Sequence, residues 1–217
     1  MTRESRHLAS SENEYDNTIR QWLDAKISKL VLHCAILNNP SKDQDKTAYL
    51  ALIRHLVSVA SESLEQKSSG GWTPLQIAVL AHQPEVISYL LSEGANQRHH
   101  DKAGCNVFHS MIFPEKPGGA KTDPEKLQNL ISLFEKTAVQ EMLLERCTER
   151  PGALTPLSYR MAESGRSLKK PDIVKILAEH SNGEDLALIN GEGDLPLHVV
   201  FKQATRSISY CFAINTQ

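Results

Sequence analysis

Histidine and cysteine side chains concentrate in one short stretch of the chain and are of the right types to ligate a metal. His99, His100, Cys105 and His109 lie within this stretch, and imidazole nitrogens and thiolates are the ligands that Zn²⁺ prefers. Their spacing does not follow the paired pattern of zinc motifs, and the chain has no Cys-x-x-Cys pair. The sequence therefore predicts no metal site here.

Other patterns that carry chemistry are also incomplete. Residues 190–194, Asn-Gly-Glu-Gly-Asp, do not place carboxylates at the alternate positions that Ca²⁺ requires, and this composition favours a hairpin turn. The chain contains no Gly-x-Ser-x-Gly elbow, phosphate-binding glycine loop or His-Glu-x-x-His helix. The basic stretches 98–100 and 166–170 lack interleaved aromatic residues. We expect no catalytic residues, no cofactor, no small-molecule substrate and no nucleic-acid partner.

A repeated pattern predicts the elements that position these residues. Gly71 and Gly104 lie 33 residues apart and open similar segments, Gly-Trp-Thr-Pro-Leu and Gly-Cys-Asn-Val-Phe. Thr73 is a good helix N-cap and Pro74 suits the first helical position. Pro84 ends that helix and permits a second one to begin. Apolar residues at helical spacing follow each start, so the pattern predicts a helix-turn-helix unit.

This unit resembles an ankyrin repeat in its Thr73-Pro74-Leu75, its Ala78 and its Gly94-Ala95-Asn96. Weaker copies of the first-helix motif start near residues 30, 106, 155 and 195. The resemblance implies an all-α ankyrin-repeat solenoid of about four and a half repeats, in which stacked neighbours complete one core. The longer steps between motifs predict irregular insertions, mostly between first and second helices, at residues 38–46, 114–124 and 164–171.

The ends of the chain differ from the repeats. Residues 1–13 are polar and are predicted to be a disordered tail, and residues 14–29 carry apolar side chains at helical spacing, which predicts a capping helix. The repeat domain is predicted over residues 30–206. Residues 207–217 form an atypical C-terminal tail whose apolar residues alternate as in a strand. The last repeat therefore lacks a recognisable cap, so the chain is either a truncated product of a longer array or is covered there by a partner.

Composition agrees with one small intracellular protein. The 217 residues are 40% hydrophobic, and 24 basic against 26 acidic residues give a net charge of −2, which provides no general attraction to nucleic acid or membrane. The four cysteines are widely separated, as in reduced proteins. The N-terminus has no apolar signal region, and no apolar stretch approaches the ~20 residues that span a bilayer. We expect a cytoplasmic or nuclear location and no membrane partner.

The resemblance also assigns roles to individual residues. In ankyrin proteins the histidine of the first-helix motif holds neighbouring turns together, which implies a structural role for His33, His109 and His198. The concave surface consists of hairpin tips and exposed first-helix positions. Trp72 is a candidate binding anchor, since tryptophan is enriched at interaction hot spots, although it could instead pack against residues 58–70. The predicted partner-binding residues are Ser69, Gly70, Trp72, Leu80, Ala81, Lys102, Ala103, Cys105 and Phe113.

The sequence thus predicts a non-catalytic adaptor or interaction module that binds an unidentified protein through its concave surface. The alternative is a truncated regulatory or targeting segment of a larger enzyme or receptor, which the absent C-terminal cap suggests.

Overall fold

The described part of the protein is entirely helical. A computed structural model of the protein describes residues 30–40, 43–112, 123–148, 153–163 and 171–202, and these contain α-helices and short 3₁₀ helices but no β-strand. The all-α prediction therefore agrees with these residues. The helices are α1 (Val31–Leu37), α2 (Asp43–Val59), α3 (Pro74–Leu80), α4 (Pro84–Ser92), α5 (Val107–Met111), α6 (Pro124–Ile131), α7 (Lys136–Leu144), α8 (Pro156–Glu163), α9 (Pro171–His180) and α10 (196–202).

Reciprocal capping starts the first helix of two successive pairs. At α3, the Thr73 hydroxyl accepts a hydrogen bond from Gln76 N–H (3.4 Å), and Gln76 Oε1 accepts one from Thr73 N–H (3.1 Å). At α5, Asn106 Oδ1 accepts from His109 N–H, and His109 Nδ1 accepts from Asn106 N–H (each 3.3 Å). Each pair satisfies two backbone donors that a helix start leaves without partners.

Proline begins the second helix of three pairs. Pro84, Pro124 and Pro171 are the first residues of α4, α6 and α9, where the missing N–H has no helical partner to lose. Asp123 adds a cap to α6 by accepting a hydrogen bond from Glu125 N–H (3.0 Å). These starts depend on local backbone chemistry, so a sequence pattern can indicate them.

Apolar side chains from successive helix pairs pack into one core. Ile36 and Ile53 join α1 to α2, and Leu75 with Ile87 joins α3 to α4. Phe108 of α5 packs against Phe134, with their ring centroids 5.4 Å apart. Because each helix buries its apolar face against its neighbours, no pair is self-sufficient.

Helix α7 departs from the predicted arrangement. We predicted insertions mostly between first and second helices, but α7 lies after the second helix α6 and before the next first helix α8. It is part of the core through the buried Val139, Met142 and Leu143. At the corresponding places after α2 and α9 the chain forms 3₁₀ helices, Ser61–Glu65 and Glu184–Ala187.

Several predictions fall outside the described residues. These are the tail 1–13, the capping helix 14–29, the C-terminal tail 207–217, and most of the insertions at 114–124 and 164–171. Among the described helices, none has both the length and the apolar character needed to cross a membrane.

Candidate protein-binding surface

Three tight turns of the same hydrogen-bond pattern precede helices α3, α5 and α10. In each turn the first residue donates its N–H to the carbonyl of the fifth, and a glycine at the fourth position donates to the carbonyl of the first. The glycine has a positive φ of 71° to 83°, a conformation that other residues adopt at a cost. The turns are Ser68 to Trp72, Asp101 to Cys105 and Asn190 to Asp194, with N···O distances of 2.8 to 3.1 Å.

The first side chain of each turn stabilises it from within. Asp101 Oδ1 accepts hydrogen bonds from the N–H groups of Ala103 (2.9 Å) and Cys105 (2.8 Å). Asn190 Oδ1 makes the same pair of bonds to residues 192 and 194. Residues 190–194 therefore form the predicted turn. An Asn or Asp side-chain oxygen can accept hydrogen bonds from backbone N–H groups further along the chain, and these bonds stabilise such turns.

The first two turns and the segment after α7 contact one another through the backbone. Lys102 N–H donates to Gly70 C=O (3.0 Å), and Thr148 N–H donates to Ala103 C=O (3.0 Å). These two bonds bring the predicted tip residues into one continuous surface. We call residues 69–70, 102–103 and 148 the turn row.

A second series of hydrogen bonds joins the first helices α1, α3 and α5 to the segment that precedes the next first helix. His33 Nε2 donates to Trp72 C=O (2.8 Å), Gln76 Nε2 to Cys105 C=O (3.0 Å), and His109 Nε2 to Leu154 C=O (3.0 Å). His33 and His109 thus have the predicted structural role. Burial lowers the pKa of His33 below its ordinary value of 6.5, against the raising effect of its bond to Trp72.

His198 differs from the other two motif histidines. Its Nδ1 accepts a hydrogen bond from Leu195 N–H (3.4 Å), at the start of its own helix α10. This bond resembles the capping bond that His109 makes to Asn106. The described residues therefore assign His198 a local capping role.

The side chains considered as zinc ligands are engaged elsewhere. His99 Nε2 donates to Gly71 C=O (2.8 Å), and His100 Nε2 pairs with Glu145 Oε2 (2.8 Å). His109 uses both ring nitrogens as described above. These partners hold the turn Asp101 to Cys105 between its neighbours.

Trp72 has a defined structural partner and also an exposed portion. Its indole Nε1 donates to Asp101 Oδ2 (2.8 Å), its backbone N–H donates to Ser68 Oγ (3.1 Å), and its ring packs on the core. The side chain is half-buried. It therefore joins two successive turns while its remaining surface lies beside the turn row.

Six of the other predicted residues form two groups. Ser69, Gly70 and Lys102 are exposed and Ala103 is half-buried in the turn row. Leu80 and Ala81, also half-buried, lie at the opposite end of α3 from the tip residues.

Cys105 was predicted to be a surface contact and this is incorrect. Its side chain is 1% exposed and belongs to the hydrophobic core. Phe113 lies outside the described residues.

Sequence reasoning missed the side chains that stabilise the turn row and Trp72. Asp101 bonds the Trp72 indole, and an acidic residue three positions before a glycine was an available signal for this turn. Glu141 and Glu145 of the α7 region pair with Arg98 and His100. These pairs join residues more than forty positions apart, and no local pattern indicates them.

Comparison with known families supports the resemblance in the best-defined helix pair. Residues 70–102 match the family model of the ankyrin repeat, and a comparison with curated proteins finds no match. The resemblance to ankyrin repeat proteins is thereby confirmed for residues 70–102, which run from the turn before α3 to the turn before α5. Ankyrin repeats are typically non-catalytic and serve protein–protein interaction.

Proposed function

We propose that this protein is a non-catalytic adaptor that binds another protein through the turn row and the adjoining exposed part of Trp72. The helix pairs would stack as an ankyrin solenoid of about four and a half repeats. The binding partner would be a polypeptide, with no nucleic acid, membrane or small-molecule substrate involved. A cytoplasmic or nuclear location would suit the widely spaced thiols.

The observation that carries this proposal is the continuity of the turn row. Exposed Ser69, Gly70 and Lys102 belong to two turns that are hydrogen bonded to each other. Their backbones are therefore held in place before binding, and a rigid surface loses little conformational entropy when a partner docks. Trp72 adds an aromatic edge of the kind that dominates interaction hot spots.

The experiment compares two variants of equal charge change. Ser69→Glu with Lys102→Glu alters the turn row, and Ser88→Glu with Lys175→Glu alters exposed positions on α4 and α9. Each tagged full-length chain is used to capture partners from extracts of the native cell, and the recovered protein is then purified and its Kd measured. We expect the turn-row variant to bind at least ~10-fold more weakly and the control to bind as the wild type does.

Two outcomes would contradict the proposal. Equal capture by both variants would place the binding surface elsewhere, and loss of the complex on nuclease treatment would indicate a nucleic-acid bridge. Circular dichroism establishes beforehand that both variants keep the helical content of the wild type.

A second candidate rests on apolar exposure near α10. Leu186, Ile189 and Leu197 are 46%, 50% and 58% exposed, and exposed apolar patches often mark sites of interaction with other polypeptide. We propose as the alternative that this region packs against further polypeptide, as in a regulatory or targeting segment of a larger enzyme or receptor. The mass of the endogenous protein tests this: a species well above 24.2 kDa supports it, and a species of that mass contradicts it.

A further inference from the structure

Two buried cysteines meet beneath the turn row and have no role in the proposed binding. Cys105 ends the turn before α5, and Cys147 comes after α7. They are 1% and 0% exposed, and both are reduced thiols. No sequence pattern pairs them, because they are far apart in the chain.

Backbone contacts hold the two segments together next to the sulfur atoms. Thr148 N–H, one residue beyond Cys147, donates to Ala103 C=O (3.0 Å). Gly104, one residue before Cys105, approaches so closely that a Cβ there would lie 2.7 Å from Thr148 N. Cys147 N–H is in turn anchored on Leu154 C=O (3.0 Å).

The thiols themselves are in contact. The Cys105 thiol is a hydrogen-bond partner of the Cys147 sulfur, and the His109 ring and the Leu154 backbone adjoin the same sulfur. These contacts, that of Cys105 first, lower the pKa of Cys147 in spite of its burial, which acts in the opposite direction. The thiolate is the reactive form of cysteine, which makes Cys147 the candidate attacking sulfur.

We propose that Cys105 and Cys147 form a peroxide-reactive modification site that closes to a reversible disulfide. The Cys147 thiolate attacks hydrogen peroxide, which breaks the O–O bond, gives a sulfenic acid and releases hydroxide. The Cys105 sulfur then attacks the Cys147 sulfur, and the sulfenic oxygen leaves as water with the Cys105 proton. The two thiols lose two electrons, and peroxide is reduced to two waters.

Burial determines which oxidants can react. Neither thiol is exposed to solvent, and buried cysteines react slowly, so we expect oxidation through transient local openings that admit hydrogen peroxide and exclude disulfides of the size of glutathione. The product would join the turn Asp101 to Cys105 to the end of α7 and enclose α5, α6 and α7 in one covalent loop. Such a loop restricts the unfolded chain, so the oxidised protein should melt roughly 5–15 °C higher than the reduced one.

The test uses the wild-type full chain. The protein is treated with hydrogen peroxide, alkylated after denaturation, digested without reductant and analysed by mass spectrometry. We expect a linked peptide pair containing Cys105 and Cys147, a mass lower by about 2 Da, a higher Tm, and reversal of each by a phosphine reductant. Recovery of both cysteines as alkylated thiols after peroxide, or a disulfide to Cys34 or Cys211 instead, would overturn the proposal.

A pair of serine variants assigns the roles of the two sulfurs. In Cys105→Ser the sulfenic acid on Cys147 has no resolving thiol, so a cyclic-diketone probe should label Cys147 after peroxide. In Cys147→Ser the remaining Cys105 should stay unlabelled. Labelling of Cys105 in the second variant, at the rate seen for Cys147 in the first, would contradict the assignment of Cys147 as the attacking thiolate.

Discussion

The compact helix pair α3–α4 and the enlarged group α5–α6–α7 start in the same way and differ after their second helices. Both begin with a reciprocal cap, and both send one side chain from the first helix to the next turn, Gln76 in one and His109 in the other. After α4 the chain enters the next turn directly, whereas α7 intervenes after α6.

These two regions share their first part and differ in their last. Both begin with a turn whose fourth residue is a glycine of positive φ and with a reciprocal cap. The segment between second helix and turn tolerates an added helix, provided that the helix buries its own apolar face and its polar side chains find partners. The apolar side chains of Met142 and Leu143 are buried. The carboxylate of Glu145, next to the end of α7, accepts a hydrogen bond from Asn106 Nδ2 (2.8 Å).

The strongest effect we predict tests whether α7 is as much a part of the core as α4. Leu90 of α4 and Leu143 of α7 are both fully buried, so truncation of each should leave a cavity. We expect Leu90→Ala and Leu143→Ala each to lower the free energy of unfolding by about 3 kcal/mol, measured by urea titration. A loss at Leu143 well below that at Leu90 would show that α7 is peripheral and that the two helices are not equivalent.

The next effect concerns the turn between the two regions. Gly104 and Gly94 both have positive φ, 71° and 89°, but a Cβ at Gly104 would lie 2.7 Å from Thr148 N, whereas a Cβ at Gly94 meets nothing within 4 Å. We expect Gly94→Ala to cost about 1 kcal/mol of unfolding free energy, from backbone strain alone, and Gly104→Ala at least ~2 kcal/mol. Equal losses in urea unfolding would show that the contact with Thr148 is easily relaxed.

A smaller effect distinguishes the two caps. The Thr73 hydroxyl caps α3, whereas Asn106 caps α5 and also donates from Nδ2 to Met142 C=O (2.7 Å). We expect Thr73→Ala to cost about 1 kcal/mol and Asn106→Ala about 2 kcal/mol of unfolding free energy. Asn106→Ser is the control, since its hydroxyl can keep the cap but loses the donor to Met142 and Glu145; a cost like that of alanine would assign the effect to the contacts with the α7 region.

The weakest effect is a dependence of stability on pH, which we expect from two histidines, one in α1 and one between α3 and α4. Burial lowers the pKa of His33 and of His82, whose Nε2 atoms donate to Trp72 C=O and Met111 C=O. Within the described part of the chain, no acceptor faces the buried Nδ1 of either ring. Below pH 6.5 the unfolded chain therefore binds more protons than the folded chain. The free energy of unfolding is highest above pH 6.5 and decreases as the pH falls towards the lowered pKa values of the folded state.

Gln76 supplies the control for this prediction, because it makes the equivalent bond without titrating. His33→Gln should retain the bond to Trp72 and should lose less stability than the wild type between about pH 8 and about pH 5.5. The measurement is the free energy of unfolding in urea at the two pH values. An unchanged loss in His33→Gln would assign the acid sensitivity to other groups.

The predictable part of this protein lies in short-range chemistry. Thr73 with Gln76, and Asn106 with His109, are three residues apart, and each pair can form its cap whatever the rest of the chain does. The turn at 190–194 was predictable for the same reason. The position of α7 was not, since its sequence, Lys136 to Leu144, is consistent with several places in a helical array.

The candidate surface was only partly predictable. The tips at residues 69–70 and 102–103 follow from the turn motif and occupy the turn row. Cys105 was misplaced because the motif locates it in the turn but does not indicate which way the fifth residue of the turn faces.

Local sequence was sufficient for the helix starts, the glycine turns and the resemblance to the ankyrin repeat, because each depends on backbone groups within about four residues of one another. Three contacts could be identified only from the tertiary structure: those of Trp72 with Asp101, of α7 with the core, and of Cys105 with Cys147. Those contacts depend on the path of all the intervening residues, and packing of the whole chain, rather than any local preference, sets that path.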